Sequence, residues 1–533
     1  MSWTTQPRKL ADFGELLPAG AKLLAELDTG QECVIGGGGV PPEDPPRDVV
    51  IRASFLRWCI LRGPEEETPK IRVHEKGIRV QGAYIRGDRP KPHSAWLTAG
   101  LDLEGCTIRG DLGLVLCRFP DMVLLRSAAL STLNLAGSHL MAGLSADGLQ
   151  TTGAVFLRQV EVTGQTRLLS ARIGGQLACD RGWFKNPGQY ALIADGLETT
   201  GEVFLRQVTV TGETRLVGAR IGGDLICDGG WFKNPGEDYK GQPNDALAIN
   251  RAEIAGGFFW RDEARIDGAM DLTGARFARI YDDQECWPQK GMLFAERLEL
   301  SEAPTTHADV ENRLEWFKLQ EPSRWGSEFW AHCYINLAVV LRDAGYEAES
   351  RWVMIRKEHE QRKARRVQRT NLLYRWLWWL IDQTFNVTVR YGRRPILAFA
   401  WLTIFWSVGA LWFDYAQTSG SLKPNNAFVL RADEWVLCAD AGTRRGEYTT
   451  QYACFRAQPA AVSYPEFNAV IYSLDTLLPI VALEMQGFWI PDEDHPVGFW
   501  ARIYLWVQIG MGWALSLLAV AGFSGLIRSD SGK

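Results

Sequence analysis

The strongest constraint on the fold is a near-verbatim internal repeat. "ADGLQTTGAVFLRQVEVTGQTRLLSARIGGQLACDRGWFKNPG" begins at Ala146, and "ADGLETTGEVFLRQVTVTGETRLVGARIGGDLICDGGWFKNPG" begins 48 residues later, at Ala194. Inside each copy, small and apolar residues come as i, i+2 pairs: Val155/Leu157, Val160/Val162, Thr166/Leu168, Ala171/Ile173 and Leu177/Cys179. Successive pairs are spaced by five and six residues in alternation. That beat is neither the period of a helix nor the sustained alternation of a long strand. Each pair reads as a two-residue bridge pointing inward, followed by a turn. Four such faces make one coil of roughly 22 residues, and coils stack at the strand spacing of about 4.8 Å.

The beat continues upstream through Ile78/Val80, Ala83/Ile85, Leu101/Leu103, Leu112/Leu114 and Leu133/Leu135, and downstream through Leu247/Ile249, Ala252/Ile254, Met270/Leu272 and Ala275/Phe277. Residues 66–285, with the duplicated segments 146–190 and 194–238, are therefore expected to form a β-helix of about nine coils. The pattern resembles the right-handed, quadrilateral β-helices of pentapeptide-repeat-like proteins, in a looser form. Residues 1–65 read as a helical cap. Asp48 is placed to start the helix, whose apolar face (Ile51, Phe55, Cys59) would cover strand edges that otherwise invite polymerisation. Cys179 and Cys227 hold equivalent inward positions, as buried small hydrophobes or as a paired metal or redox site. The repeated "WFKNPG" puts Trp183, Lys185, Trp231 and Lys233 in two parallel protrusions. These are duplicated loops, or a partner surface suited to an anionic or aromatic group.

Residues 286–327 read as a linker and 328–370 as a helical hairpin turning at Gly345. From Arg351 to Arg394 there are twelve Lys/Arg against three Asp/Glu. This bias marks a cytoplasmic flank and attracts anionic lipid. Within it, residues 371–394 form a basic, Trp-rich segment expected to lie along the headgroups, with Arg390, Arg393 and Arg394 facing lipid. Residues 395–533 form a membrane domain. Ile396–Phe413 and Ile503–Ile527 are uncharged runs of 18 and 25 residues, long enough to span. Between them, Asp414–Arg502 holds eleven acids against six bases, as an outside loop should. Both termini are then cytosolic. Cys438 and Cys454, alone in that loop, are candidates for a disulfide.

A third apolar stretch, "IYSLDTLLPIVALEMQGFW" from Ile471 to Trp489, would invert this charge bias if it crossed. Residues 467–483 are therefore expected to enter from outside as a half-helix and return, a path tolerated only where protein or water surrounds it. The order span, half-helix, return, span resembles the two-transmembrane pore module of the potassium-channel superfamily. "SLDT" at Ser473–Thr476 lies at the end of the pore helix, with Asp475 in the acidic place and Glu484 as the trailing acid. The Thr-Val-Gly-Tyr-Gly filter is replaced by Pro479-Ile480-Val481-Ala482-Leu483, and β-branched residues resist the alternating backbone a carbonyl filter needs. The resemblance implies a homo-oligomer, by default a tetramer, and the departure from the filter implies that it lacks potassium selectivity. The resemblance places Asp475, Thr476, Glu484, Gln508 and Ser516 along a pore, with Gly510 and Gly512 as hinges.

The whole chain also resembles a bacterial family of β-helix proteins with a C-terminal channel-like pair of helices, some members of which carry the label membrane-associated oxidoreductase. This implies a bacterial inner-membrane location. No dinucleotide loop, metal-spaced histidine cluster or activated nucleophile supports an enzyme, and no cofactor is expected. A net charge of −5 gives no whole-chain case for nucleic acid. The readings left open are a channel-like protein with a cytosolic sensory β-helix, a membrane-anchored scaffold and, remotely, an oxidoreductase.

Overall fold

The computed structural model describes residues 9–87, 100–237, 241–304, 306–367, 372–390, 396–444, 446 and 448–523. The chain divides into two compact units, Met1–Lys357 and Glu358–Lys533.

The first unit is a β-solenoid of about eight turns, one fewer than the repeat beat suggested. Its strands are mostly two residues long and pair in parallel. One ladder runs in register through Val155, Leu177, Val203, Leu225 and Phe258. All five i, i+2 pairs of the first repeat copy are buried, including Thr166. Turns must be tight for such short faces to stack. A Cβ on Gly174 would stand 2.4 Å from the carbonyl of Thr152, and one on Gly222 would stand 2.4 Å from that of Thr200. Glycine is the residue that lets the rungs approach this closely.

The ladder runs past both ends of the segment 66–285. Cys33–Val34 pairs with Gly77–Gln81, and Val50–Arg52 pairs with Tyr84–Arg86. This pairing moves the helix start from Asp48 to Ala53, because residues 50–52 are committed to a strand. Ile51, Phe55 and Cys59 are buried in the same apolar core as the rungs. At the other end, Leu293–Phe294 and Glu299–Leu300 continue two of the sheets. The helices His307–Phe317 and His332–Asp343 follow, and the second turns at Gly345 (φ +88°) into Glu347–Val367.

Outside the core, charged side chains also stack. Arg172, Glu198, Arg220, Glu253, Arg276 and Glu299 form one column, with successive N···O distances of 3.2, 3.1, 3.8, 3.3 and 2.8 Å. Opposite signs alternate at every rung, the parallel-sheet version of favourable cross-strand pairing.

The second unit contains two helices long and apolar enough to cross a membrane, within Ile396–Thr418 and Pro496–Phe523. The last helix begins seven residues before the uncharged run, at Pro496, and includes Arg502, which pairs with Glu493 at 3.3 Å. Residues 524–527 lie outside the described residues. Between the two helices, Cys438 and Cys454 are disulfide-bonded (Cα–Cα 5.7 Å). Leu422–Pro424 pairs antiparallel with Trp489–Pro491 over a cluster that includes Trp435, Tyr452, Phe455 and Phe467.

Candidate functional site

Three helices build the site in the second unit: Ile396–Thr418, the short Ala469–Leu477 and Pro496–Phe523. Asn468 starts the short helix by accepting from the backbone N–H groups of Val470 and Ile471 at 3.0 and 3.1 Å, a standard N-cap. This helix runs antiparallel to the first long helix. Near its start, Trp406 Nε1 donates to the Val470 carbonyl (3.0 Å) and Ser473 Oγ donates to the Trp406 carbonyl (2.8 Å). At its end, Leu477 packs with Leu402 and Leu515.

Gln508 joins the last helix to this pair. It is fully buried, and its Nε2 donates at 2.8 Å to both the carbonyl and the hydroxyl of Ser473. Its Oε1 has no partner among the described residues. Two glycines make this contact geometry feasible. A Cβ on Gly409 would lie 2.4 Å from Ser473 Oγ, and one on Gly512 would lie 1.9 Å from the Leu477 carbonyl. Gly510 has open space around it.

After Leu477 the chain turns back. Asp475 holds the turn through both carboxylate oxygens, which accept from Leu483 N and Gln486 N at 2.7 Å each. Charge-assisted bonds of this kind are among the stronger ones. Glu484 takes a left-handed conformation (φ +60°) and is exposed, as are Ile480 (83%) and Val481 (47%). The returning chain ends beside the start of the short helix, where Trp489 Nε1 donates to the Pro465 carbonyl at 2.9 Å. Thr476 is buried, and its hydroxyl donates back to the carbonyls of Tyr472 and Ser473. Ser516 is partly buried on the last helix. Asp475, Thr476 and Gln508 are thus brought together as internal struts, while Glu484 faces outward.

The helix Leu372–Val389 exposes Trp376, Trp378 and Trp379, and buries Asp382 between Arg362 (3.0 Å) and Arg366 (3.5 Å). Arg390 is exposed at its end. Arg393 and Arg394 lie outside the described residues.

On the solenoid, Trp183 and Trp231 share one ladder with Thr209 between them, about 9.6 Å apart at strand spacing. Both rings are exposed. Each carries its own lysine over the face, Lys185 at 4.5 Å and Lys233 at 3.0 Å. Glu161 also holds Lys185, at 3.0 Å. Cys179 and Cys227 are separated by the Leu205 rung, and burial pushes both thiols well above the usual range. Two rungs is too far for a disulfide, and the described residues contain no cluster of metal-binding side chains. A cavity of about 300 Å³ opens beside Ile280–Asp282. In it, Asp282 is held by Arg313 (2.6 Å) and Trp287 Nε1 (2.9 Å).

Sequence reasoning missed Ser473 and Gly409 as parts of the polar joint. Their signal was faint: one hydroxyl and one glycine in apolar helices. Comparison of the chain with known protein families, curated proteins and solved structures gives no match.

Proposed function

We propose that this chain is an integral protein of a bacterial inner membrane, with a cytosolic solenoid carried on two spans. Both termini face the cytosol and residues 414–502 lie outside. Its C-terminal module assembles with other copies into a channel-like oligomer. The observation that carries this reading is the path of Asn468–Trp489, which descends beside Trp406 to Leu402 and returns to Pro465. With the two long helices in a bilayer, the turn after Leu477 sits within it as non-helical backbone. Such backbone needs protein or water around it. Ile480 and Val481 are uncovered in one protomer, so neighbouring copies supply the cover. The returning segment lacks the glycines of a carbonyl filter, and its Glu484 is exposed on the protomer surface. A pore here is wide and weakly selective, with Glu484 as its acidic ring. The solenoid then serves as the sensory or partner-binding part.

A second reading is favoured by the engagement of Asp475, Thr476 and Gln508 inside the protomer. In it, the module only anchors and oligomerises, while the solenoid presents Trp183 and Trp231 to a protein partner. Planar-bilayer recording of purified protein separates the two. Conduction whose reversal potential shifts in Glu484→Gln supports the pore. Silence under all voltages, from a particle of defined symmetry, supports the anchor. Monomeric protein in detergent and in nanodiscs would sink both.

A further inference from the structure

The solenoid core ends on a charged residue. The inward column Leu157, Cys179, Leu205, Cys227 and Trp260 is buried at every rung, and the register carries it onto Asp282. A carboxylate at a core position is costly unless it is paired, and its pairing with Arg313 is weak evidence for a purely stabilising role. Breaks of this kind in an otherwise consistent pattern concentrate at functional sites. Here the break adjoins the cavity of about 300 Å³, the size at which small-molecule sites begin.

Three bases and three acids line that cavity: Arg261, Arg279 and Arg313 against Asp282, Glu302 and Asp309. Most are spent within the protein. Arg313 and Asp282 hold each other at 2.6 Å. Asp309 accepts from Thr306 N in the helix cap and faces Arg279 at 3.9 Å. Two charges of opposite sign are left. Arg261 gives Nε and Nη2 to Asp228, which fixes its guanidinium and leaves Nη1 uncommitted among the described residues. Glu302 is exposed, and no bond holds its carboxylate among the described residues. Arg261 aligns with Asp283, just past one end of the strand Ile280–Asp282. The Glu302 backbone donates to the Ala278 carbonyl (2.9 Å), just before the other end. The two signs therefore flank a strand about 10 Å long. Tyr281, stacked on Phe259 at 4.4 Å, and Trp287 add aromatic wall.

A singly charged molecule gains little from a lining whose signs balance, whereas a molecule carrying both signs meets one at each end. We propose that this cavity binds a small zwitterion of amino-acid to dipeptide size. Its carboxylate lies on Arg261, its ammonium on Glu302, and its side chain against Tyr281 and Trp287. This deepens the reading of the solenoid as the sensory part, and rests on that reading for the consequence of binding but not for binding itself.

Isothermal titration calorimetry of the full chain in nanodiscs, with glycyl-phenylalanine as the probe, tests the site. N-acetyl-glycyl-phenylalanine lacks the ammonium and glycyl-phenylalanine amide lacks the carboxylate. Each is expected to bind about tenfold or more weakly than the parent. Glu302→Gln should weaken the parent by a similar factor and leave the N-acetyl form unmoved. Arg261→Gln should weaken the parent and leave the amide form unmoved. Glu302 is exposed, so its variant tests the site without disturbing the core. Thermal melts without probe check that both variants fold. Asn312→Trp, at an exposed position on the cavity wall, should block all three probes. Absence of binding to wild type overturns the site, and so do equal affinities for the three probes or an affinity that Glu302→Gln does not move. Planar-bilayer recording separates this from the channel reading. Silence with binding intact sinks the channel alone, whereas conduction without binding sinks the cavity site alone.

Discussion

The side-chain amide of Asn336 closes the last rung of the solenoid at Leu300. Its Oδ1 accepts from Leu300 N at 2.8 Å and its Nδ2 donates to Leu300 O at 3.2 Å. The amide stands where the next strand's backbone would be, so the ladder stops instead of offering a sticky edge. Asn336→Ala leaves both groups unpaired and should cost about 1–3 kcal/mol of solenoid stability. Chemical denaturation measures the loss. Hydrogen exchange should show the Leu300 amide losing protection before neighbouring rungs, and unchanged protection there would remove the capping role.

The alternating column predicts a salt-dependent effect. Arg220 lies between Glu198 and Glu253. Arg220→Glu sets three carboxylates in a row. These side chains are largely exposed, so the penalty should be only about 1 kcal/mol at low salt and should shrink as ionic strength rises. Thermal melts at two salt concentrations check it. A loss that does not respond to salt points to backbone damage instead.

Two glycines one residue apart on the last helix, Gly510 and Gly512, should behave oppositely. Gly512→Ala drives a methyl into the Leu477 carbonyl and should destabilise the three-helix module in detergent. Gly510→Ala meets nothing and should be neutral, or stabilising by about 0.5–1 kcal/mol through better helix propensity. Equal effects at both positions would instead fit a bending role shared by the pair.

One carboxylate predicts a pH dependence. Burial pushes Glu213 up to about 7, with Arg215 opposing and Asp195 adding to the rise. The folded state therefore binds a proton that the unfolded chain has released. Linkage makes its contribution fall as pH rises from the ordinary carboxylate range through about 7. The Glu213 contribution to solenoid stability should be highest at the acid end of that window, and Glu213→Gln should remove that part of the slope. An unchanged slope in the variant assigns the titration to another group.

Breaking the ion pair of the solenoid cavity should be costly. Arg313 and Asp282 have only about a tenth of each side chain exposed. Asp282→Ala strands the guanidinium and should lose about 3–5 kcal/mol. Asp282→Ala with Arg313→Met should recover much of it, and a double-mutant cycle measures the coupling.

The solenoid was legible because its signal is periodic: Val155, Leu177, Val203 and Leu225 are inward in sequence pattern and in space. Its ends were not, because two-residue strands such as Cys33–Val34 and Leu293–Phe294 carry no period of their own and exist only through their neighbours. The same limit applies in the helical module. An acid at Asp475 inside an apolar run signals that something must be satisfied, but composition does not say whether by an ion or by two backbone N–H groups. Gly512 shows it again, since a helical glycine reads alike as a hinge or as a point of closest approach.

The duplication carries Arg172 onto Arg220 across one intervening acid, Glu198. Gain or loss of a whole copy would leave the order of signs intact, whereas gain or loss of one turn would set like against like. Lengthening in paired increments of about 9.6 Å therefore keeps the column's charges matched, as on a ruler whose smallest division is two.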